Sequence, residues 1–215
     1  MDLMAKLPLK DPFRLYRQLE DGEQFCIFGD PAEGRDFCAA AVVSKRHGDF
    51  PLIYNNRTES SQFGYDIHKI AKYIHRKTDL WPMVAIERNV GAATIFVLQE
   101  LNYPRMFRMP VFDSATHKET TKIGWLTTRA TRSKMLNDFA MALRQGQAMV
   151  YDQEAIEQML AFVYKLGRGQ IEAGKKDDLV IAHSGAWQLY LLVPTLSDAD
   201  EDIDWEEERR KWRFK

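Results

Sequence analysis

Much that would narrow the protein's class is scarce or missing. Only two cysteines, Cys26 and Cys38, occur in 215 residues, and each lies inside an apolar run. A disulfide framework is therefore excluded, and both read as small core hydrophobes. No Cys/His cluster has zinc-ligand spacing, and the histidines (His47, His68, His75, His117, His183) follow no ligand pattern. His117, in a polar stretch, is the one worth testing for catalysis. No apolar run approaches the length needed to span a bilayer, and the first residues lack a charged-then-apolar signal pattern, so no membrane partner is expected. No Gly-x-x-x-x-Gly-Lys-Ser/Thr loop occurs, which removes the usual nucleotide-driven motor from this stretch of chain.

What is present describes a folded protein. The hydrophobic fraction is 45% and the aromatic fraction 12%, in a length that fits one large domain with appendages. The formal net charge of −1 hides an uneven distribution. Asp198, Asp200, Glu201, Asp202, Asp204, Glu206, Glu207 and Glu208 are followed by Arg209, Arg210, Lys211, Arg213 and Lys215. Without this tail the 31 acidic and 30 basic residues fall to 23 and 25, so the body is mildly basic and a nucleic-acid surface is compatible with it.

Periodicity gives the element order. Residues 1–22 read as a lead-in, with Phe13, Tyr16 and Leu19 on a short amphipathic turn. Strand-like runs over about 24–29, 36–44 and 50–57 are joined by turn-rich links, which predicts an antiparallel meander. Ile67, Ile70, Ala71 and Ile74 have helical spacing over 63–78. A fourth strand ends at Glu87, Asn89 is placed to cap a helix running to Asn102, and Arg105–Met109 reads as a fifth strand. A polar loop or hairpin over Asp113–Lys122 precedes helices over 131–144 and 152–164. A Gly/Lys-rich loop, 165–176, then leads into a last apolar helix. Three antiparallel strands, then β-α-β, then helices, predict an α/β chain of ribonuclease H-like order, with a central five-stranded mixed sheet and flanking helices. The expected boundaries are a linker over 1–22, a domain over 23–196 and a charged tail over 197–215.

Acidic residues stand at the ends of these elements. Asp30 closes Phe25-Cys26-Ile27-Phe28-Gly29, Glu87 closes Met83-Val84-Ala85-Ile86, and Asp177-Asp178 open the last helix. Each alone is ordinary: a turn residue, a solvated strand end, a helix cap. Together, from distant segments, they match what phosphodiester hydrolysis asks of a protein. Two Mg²⁺ or Mn²⁺ ions roughly 4 Å apart need three or four oxygen ligands of this kind.

The segments Gly29-Asp30-Pro31-Ala32-Glu33-Gly34-Arg35-Asp36, Glu87-Arg88-Asn89-Val90-Gly91, Gly124-Trp125-Leu126-Thr127-Thr128 with Thr131-Arg132, and Lys176-Asp177-Asp178-Leu179-Val180-Ile181-Ala182 occur in this order. They resemble the nuclease domain of the viral DNA-packaging terminase large subunit over roughly residues 22–193. The resemblance implies a metal-dependent endonuclease that cuts concatemeric double-stranded DNA in the host cytoplasm. Asp30, Glu87, Asp177 and Asp178 match the family's catalytic, metal-binding acids, with Asp177 favoured over Asp178 as the direct ligand. The implied partners are the terminase ATPase domain, the small terminase subunit and the portal protein. Because the family carries its motor upstream, the resemblance further implies either an excised domain with 1–22 as the end of the interdomain linker, the favoured reading, or a motor on another chain.

Lys118, Lys122, Arg129, Arg132 and Lys134 flank the third motif, and Lys175 and Lys176 precede the last acidic pair. Such side chains neutralise phosphates without reading sequence. Two other readings share the residues: a Holliday-junction resolvase or ribonuclease H of the same fold, and a non-catalytic module binding DNA or portal.

Overall fold

The computed structural model describes residues 12–32, 36–113, 118–165, 168–171 and 176–196. The charged tail over 197–215 and His117 lie outside them. Its first half runs β1 (Phe13–Leu15), β2 (Phe25–Asp30), β3 (Cys38–Ser44), β4 (Asp49–Phe50), β5 (Leu52–Asn56), α1 (Ser60–Thr78), β6 (Met83–Ile86) and α2 (Ala92–Glu100). The second half runs β7 (Arg108–Asp113), β8 (Lys118–Ile123), α3 (Arg129–Arg144), β9 (Met149–Val150), α4 (Gln153–Leu160), β10 (Phe162–Lys165), β11 (Arg168–Ile171) and α5 (Asp178–Leu192).

The central sheet has five strands in the order β1-β5-β3-β2-β6. All pairings are antiparallel except β2 with β6, which is parallel. Side chains alternate across a strand, so each inner strand must supply two cores. Cys26, Phe28, Ala39, Ala41, Val43, Ile53 and Ala85 face a core completed by α3, α4 and α5. Phe25, Ile27, Cys38, Ala40, Val42, Leu52, Tyr54, Val84 and Ile86 face a second, completed by α1 and α2. Burial on both faces is why β2 and β3 read as unbroken apolar runs. Both cysteines are free and buried, as their surroundings suggested.

Three elements differ from the sequence reading. Phe13–Leu15 forms an edge strand paired with Leu52–Tyr54, where a helical turn was expected; three residues are too few for period 2 to be told from period 3.6. The expected fifth strand over 105–109 sits beside β6 through an isolated bridge, Val84 to Met106, before the chain leaves as the β7–β8 hairpin. The helix expected to reach 164 ends at Leu160, and the β10–β11 hairpin starts within its expected last turn and runs into the supposed loop. The polar stretch over Asp113–Lys122 does belong to a hairpin.

α5 lies across the middle of the sheet, its residues from Leu179 to Leu189 all buried. Close approach is possible because position 185 lacks a side chain: a Cβ there would lie 2.4–2.5 Å from three carbons of the Phe28 ring. The helix start is capped by a neighbour, as Gln158 Oε1 of α4 accepts the Leu179 N–H at 2.9 Å. Within α5, His183 is fully buried, its Nδ1 bonded to the Leu179 carbonyl, and burial pushes its pKa down to about 4.

Gly185→Ala is expected to lower unfolding free energy by about 1–3 kcal/mol, because an overpacked methyl forces helix and sheet apart. Urea denaturation checks it. Phe28→Leu in the same chain should recover part of the loss; an unchanged midpoint for Gly185→Ala contradicts the packing described.

Candidate functional site

Four carboxylates come together at one end of the sheet. β2 delivers Asp30 as its last residue, paired across to Ala39 of β3. Glu87 follows β6, and its backbone N–H donates to the Gly29 carbonyl at 2.9 Å, so the two acids leave adjacent parallel strands side by side. The outer side of Glu87 is bridged to Trp125, whose carbonyl accepts the Arg88 N–H at 2.8 Å. Gly91 tightens this corner: a Cβ there would lie 2.1 Å from the Glu87 carbonyl oxygen. Asp177 and Asp178 reach the cluster from the start of α5.

Their protonation records the crowding. Burial first, then a hydrogen bond with Glu87, then the charges of Glu87, Asp178 and Asp177 push Asp30 well above the ordinary carboxylate range. A hydrogen bond between two carboxyls requires a proton on one of them. Asp178 is raised to about 6, by burial first and then by Asp177; Lys176 opposes the shift and Asp36 adds to it. Asp177 is held by Arg132, Nη2 to Oδ2 at 2.6 Å. As they stand, no three His, Cys, Asp or Glu side chains among the described residues are arranged to hold a metal ion. A proton and a guanidinium compensate the charge in this arrangement. The donor set itself, carboxylate oxygens only, suits hard divalent cations.

The basic residues named from sequence divide. Arg132 lies on an acid of the cluster. Lys176 is exposed, its Nζ 3.2 Å from the centre of the Phe37 ring. Lys122 and Arg129 are exposed on β8 and at the start of α3, and Lys134 is exposed but tied to Asp138 one turn on. Lys175 and the side chain of Lys118 lie outside the described residues.

Two groups that position the site escaped the sequence reading. Gln158 caps α5 from 21 residues away, and no local pattern announces it. Asn89, expected to cap a helix, instead clamps the loop after Trp125: its Nδ2 donates to the Thr127 carbonyl at 2.8 Å and its Oδ1 accepts the Thr127 N–H at 3.2 Å. Gly91 holds the N-cap position of α2. At the other end of this loop Thr128 caps α3, with reciprocal bonds to Thr131.

Sheet order, strand directions and the acids at the sheet end define a ribonuclease H-like α/β fold. Solved structures it is similar to include large terminase nucleases. The large terminase nuclease from thermophilic phage G20c superposes with a TM-score of 0.65 at 13% identity, covering 88% of this chain and 95% of that one. For the Thermus phage P74-26 large terminase nuclease domain the TM-score is 0.64 at 14% identity, over 91% of this chain and 96% of that one. The human cytomegalovirus terminase nuclease domain gives 0.54 at 15% identity, over 85% and 86%. No protein-family model matches the chain, and no curated protein matches it by sequence. At these identities the likeness establishes the fold.

A carboxyl whose pKa is higher folded than unfolded binds more protons folded. For Asp178 its contribution to stability is present below 3.8 and lost as pH rises to about 6. Asp30 acts in the same direction. Asp30→Asn is therefore expected to leave the metal-free protein as stable as the parent at pH 7, or more so, and to flatten the pH dependence of its unfolding midpoint above pH 5. Calorimetry in chelator from pH 4 to 8 measures this. A marked loss of stability at pH 7 would mean that the Asp30 carboxylate is a structural partner.

Proposed function

We propose that the chain is a divalent-metal-dependent endodeoxyribonuclease of a viral genome-packaging terminase, cutting concatemeric double-stranded DNA by two-metal-ion phosphodiester hydrolysis. The observation carrying this reading is the meeting of Asp30, Glu87, Asp177 and Asp178, from three distant segments, at one end of a sheet with terminase-nuclease topology. Structures of the G20c nuclease carry bound magnesium, cobalt or zinc, and the cytomegalovirus domain was soaked with manganese. Here Mg²⁺ or Mn²⁺ is the proposed occupant, supplying an activated water and charge stabilisation at the phosphate.

The chain's own residues prepare the site. Asp30, at the end of β2, would hold the cation together with Glu87 and Asp177 or Asp178. For Asp177 to serve as a ligand, Arg132 would have to leave it. Once released, Arg132 joins Lys122, Arg129 and Lys176 as candidate phosphate contacts, with Lys118, Lys134 and Lys175 completing the proposed set. The partners that follow are double-stranded DNA, the terminase ATPase domain, the small subunit and the portal protein, in the host cytoplasm. No helix among the described residues is long and apolar enough to cross a membrane.

Plasmid nicking in Mn²⁺, in Mg²⁺ and in chelator tests the reading. Asp30→Asn is expected to lose at least about 10³-fold in rate, the equivalent of several kcal/mol of transition-state stabilisation. Nicking by purified Asp30→Asn at the parent rate, or by the parent in chelator, overturns it. Activity confined to four-way junctions or RNA–DNA hybrids would assign the site to a resolvase or ribonuclease H.

Replacing Lys175 and Lys176 together by Gln should weaken DNA binding about equally for unrelated sequences and lower the slope of log affinity against log salt by about 1–2. Fluorescence anisotropy at several salt concentrations measures it, and an unchanged slope turns these lysines away from DNA.

A further inference from the structure

Beyond the sheet end that carries Asp30, two cations meet on one aromatic ring. Register sets Asp30 beside Ala39 and Ala39 beside Asn55, one row across β2, β3 and β5. Side chains two residues apart along a strand share a face. The next row out on the Asp30 face therefore holds Phe37, just before β3, and Arg57, just after β5. The contact agrees with this: Arg57 Cζ lies 4.9 Å from the centre of the Phe37 ring. From a third segment comes Lys176, one residue before Asp177, its Nζ 3.2 Å from the same ring centre. Two residues of strand rise put this row about 7 Å beyond Asp30 along the strand direction.

Both cations are exposed, while Phe37 between them is half-buried. A ring attracts a cation through its quadrupole and so orients the charge without cancelling it. That separates this pair from the other basic side chains near the acids, since Arg132 and Lys134 spend their charges on Asp177 and Asp138. Among the described residues neither Arg57 nor Lys176 enters a salt bridge. Asp36, exposed beside Phe37, enters none either. Two like charges are thus gathered at one ring, accessible, oriented and unneutralised. An anion shared between them relieves their repulsion, and a phosphate suits both, the guanidinium as a planar fork and the ammonium as a point charge.

We propose that Arg57 and Lys176, gathered on Phe37, grip a backbone phosphate of the DNA strand being cut, about two nucleotides from the phosphate at Asp30. The proposal rests on the nuclease reading above. The offset follows from a rise of about 3.4 Å per nucleotide along one strand, set against the 7 Å between the rows. Arg57 is the new phosphate contact, brought from the sheet side of the site. Phe37 is a positioning residue that holds both charges in place and reads no base.

The test is fluorescence anisotropy in chelator, with short labelled duplexes of two unrelated sequences over a range of salt. Arg57→Gln is expected to lower the slope of log affinity against log salt by about 0.9, one phosphate contact, equally for both sequences. Arg76→Gln, an exposed cation at the far end of α1, should leave the slope unchanged. Phe37→Leu keeps both charges and should weaken binding about two- to five-fold, the worth of an exposed cation–ring contact, while Phe37→Tyr stays at the parental affinity. Arg57 is exposed, so its variant carries the test even where Phe37→Leu fails to fold. Three outcomes overturn the proposal: an unchanged slope in Arg57→Gln, an equal drop in Arg76→Gln, or a parent that binds no duplex at the lowest salt. A loss of affinity in Arg57→Gln for labelled poly-glutamate and not for duplex assigns the ring to an acidic protein segment and overturns it too. The measurement involves neither metal nor cleavage. A protein that nicks plasmid yet binds duplex independently of Arg57 loses only the grip; one that binds through Arg57 and nicks nothing loses only the nuclease.

Discussion

Mutual repulsion among four carboxylates is the constraint that the rest of this structure answers. Like charges gathered at a sheet end separate unless the backbone beneath them is held by something stronger. Here that hold is burial. β2 and β3 are covered on both faces, and α5 is pressed into the sheet at the glycine over Phe28. The hydrophobic contact lies two residues back along β2 from Asp30 and fixes the elements that carry the acids. Proximity that costs free energy locally is sustained by packing some residues away.

The sheet also depends on how its edges are closed. β1 covers the far side of β5, while backbone from Arg105 to Phe107 and at Trp125 covers the outside of β6 and Glu87. The second closure also sets local geometry. It fixes the direction in which Glu87 leaves the sheet, and the Asn89–Thr127 clamp joins that corner to the start of α3, the helix that carries Arg132. Strand edge, acid and counter-cation are therefore one mechanical unit.

The central strands, α1 and the acids at the element ends were legible because their signals are local: an apolar run, a 3.6-residue period, a charge where the run stops. What sequence left unread depends on contacts between distant residues. Three residues from Phe13 carry too little pattern to announce an edge strand, and become one only because β5 offers an open edge. Asn89 has the chemistry of a helix cap, yet a loop 38 residues away competes for its amide and wins. Arg132 has the composition of a phosphate contact; its position over Asp177 follows from the packing of α3 on α5, which no spacing encodes. That acids stand at these element ends could be read from the chain, whereas the company they keep could not.

The Arg132–Asp177 pair makes the order of events at this site a matter of exchange. A guanidinium cannot deprotonate at any ordinary pH, so it leaves the carboxylate only by moving. On the proposed nuclease reading, a cation taken up at Asp177 would displace a side chain anchored on α3, and a phosphate would offer that guanidinium another partner. On that reading phosphate and cation would assist one another across the same arginine. In time rather than in affinity, the pair would then work as a latch.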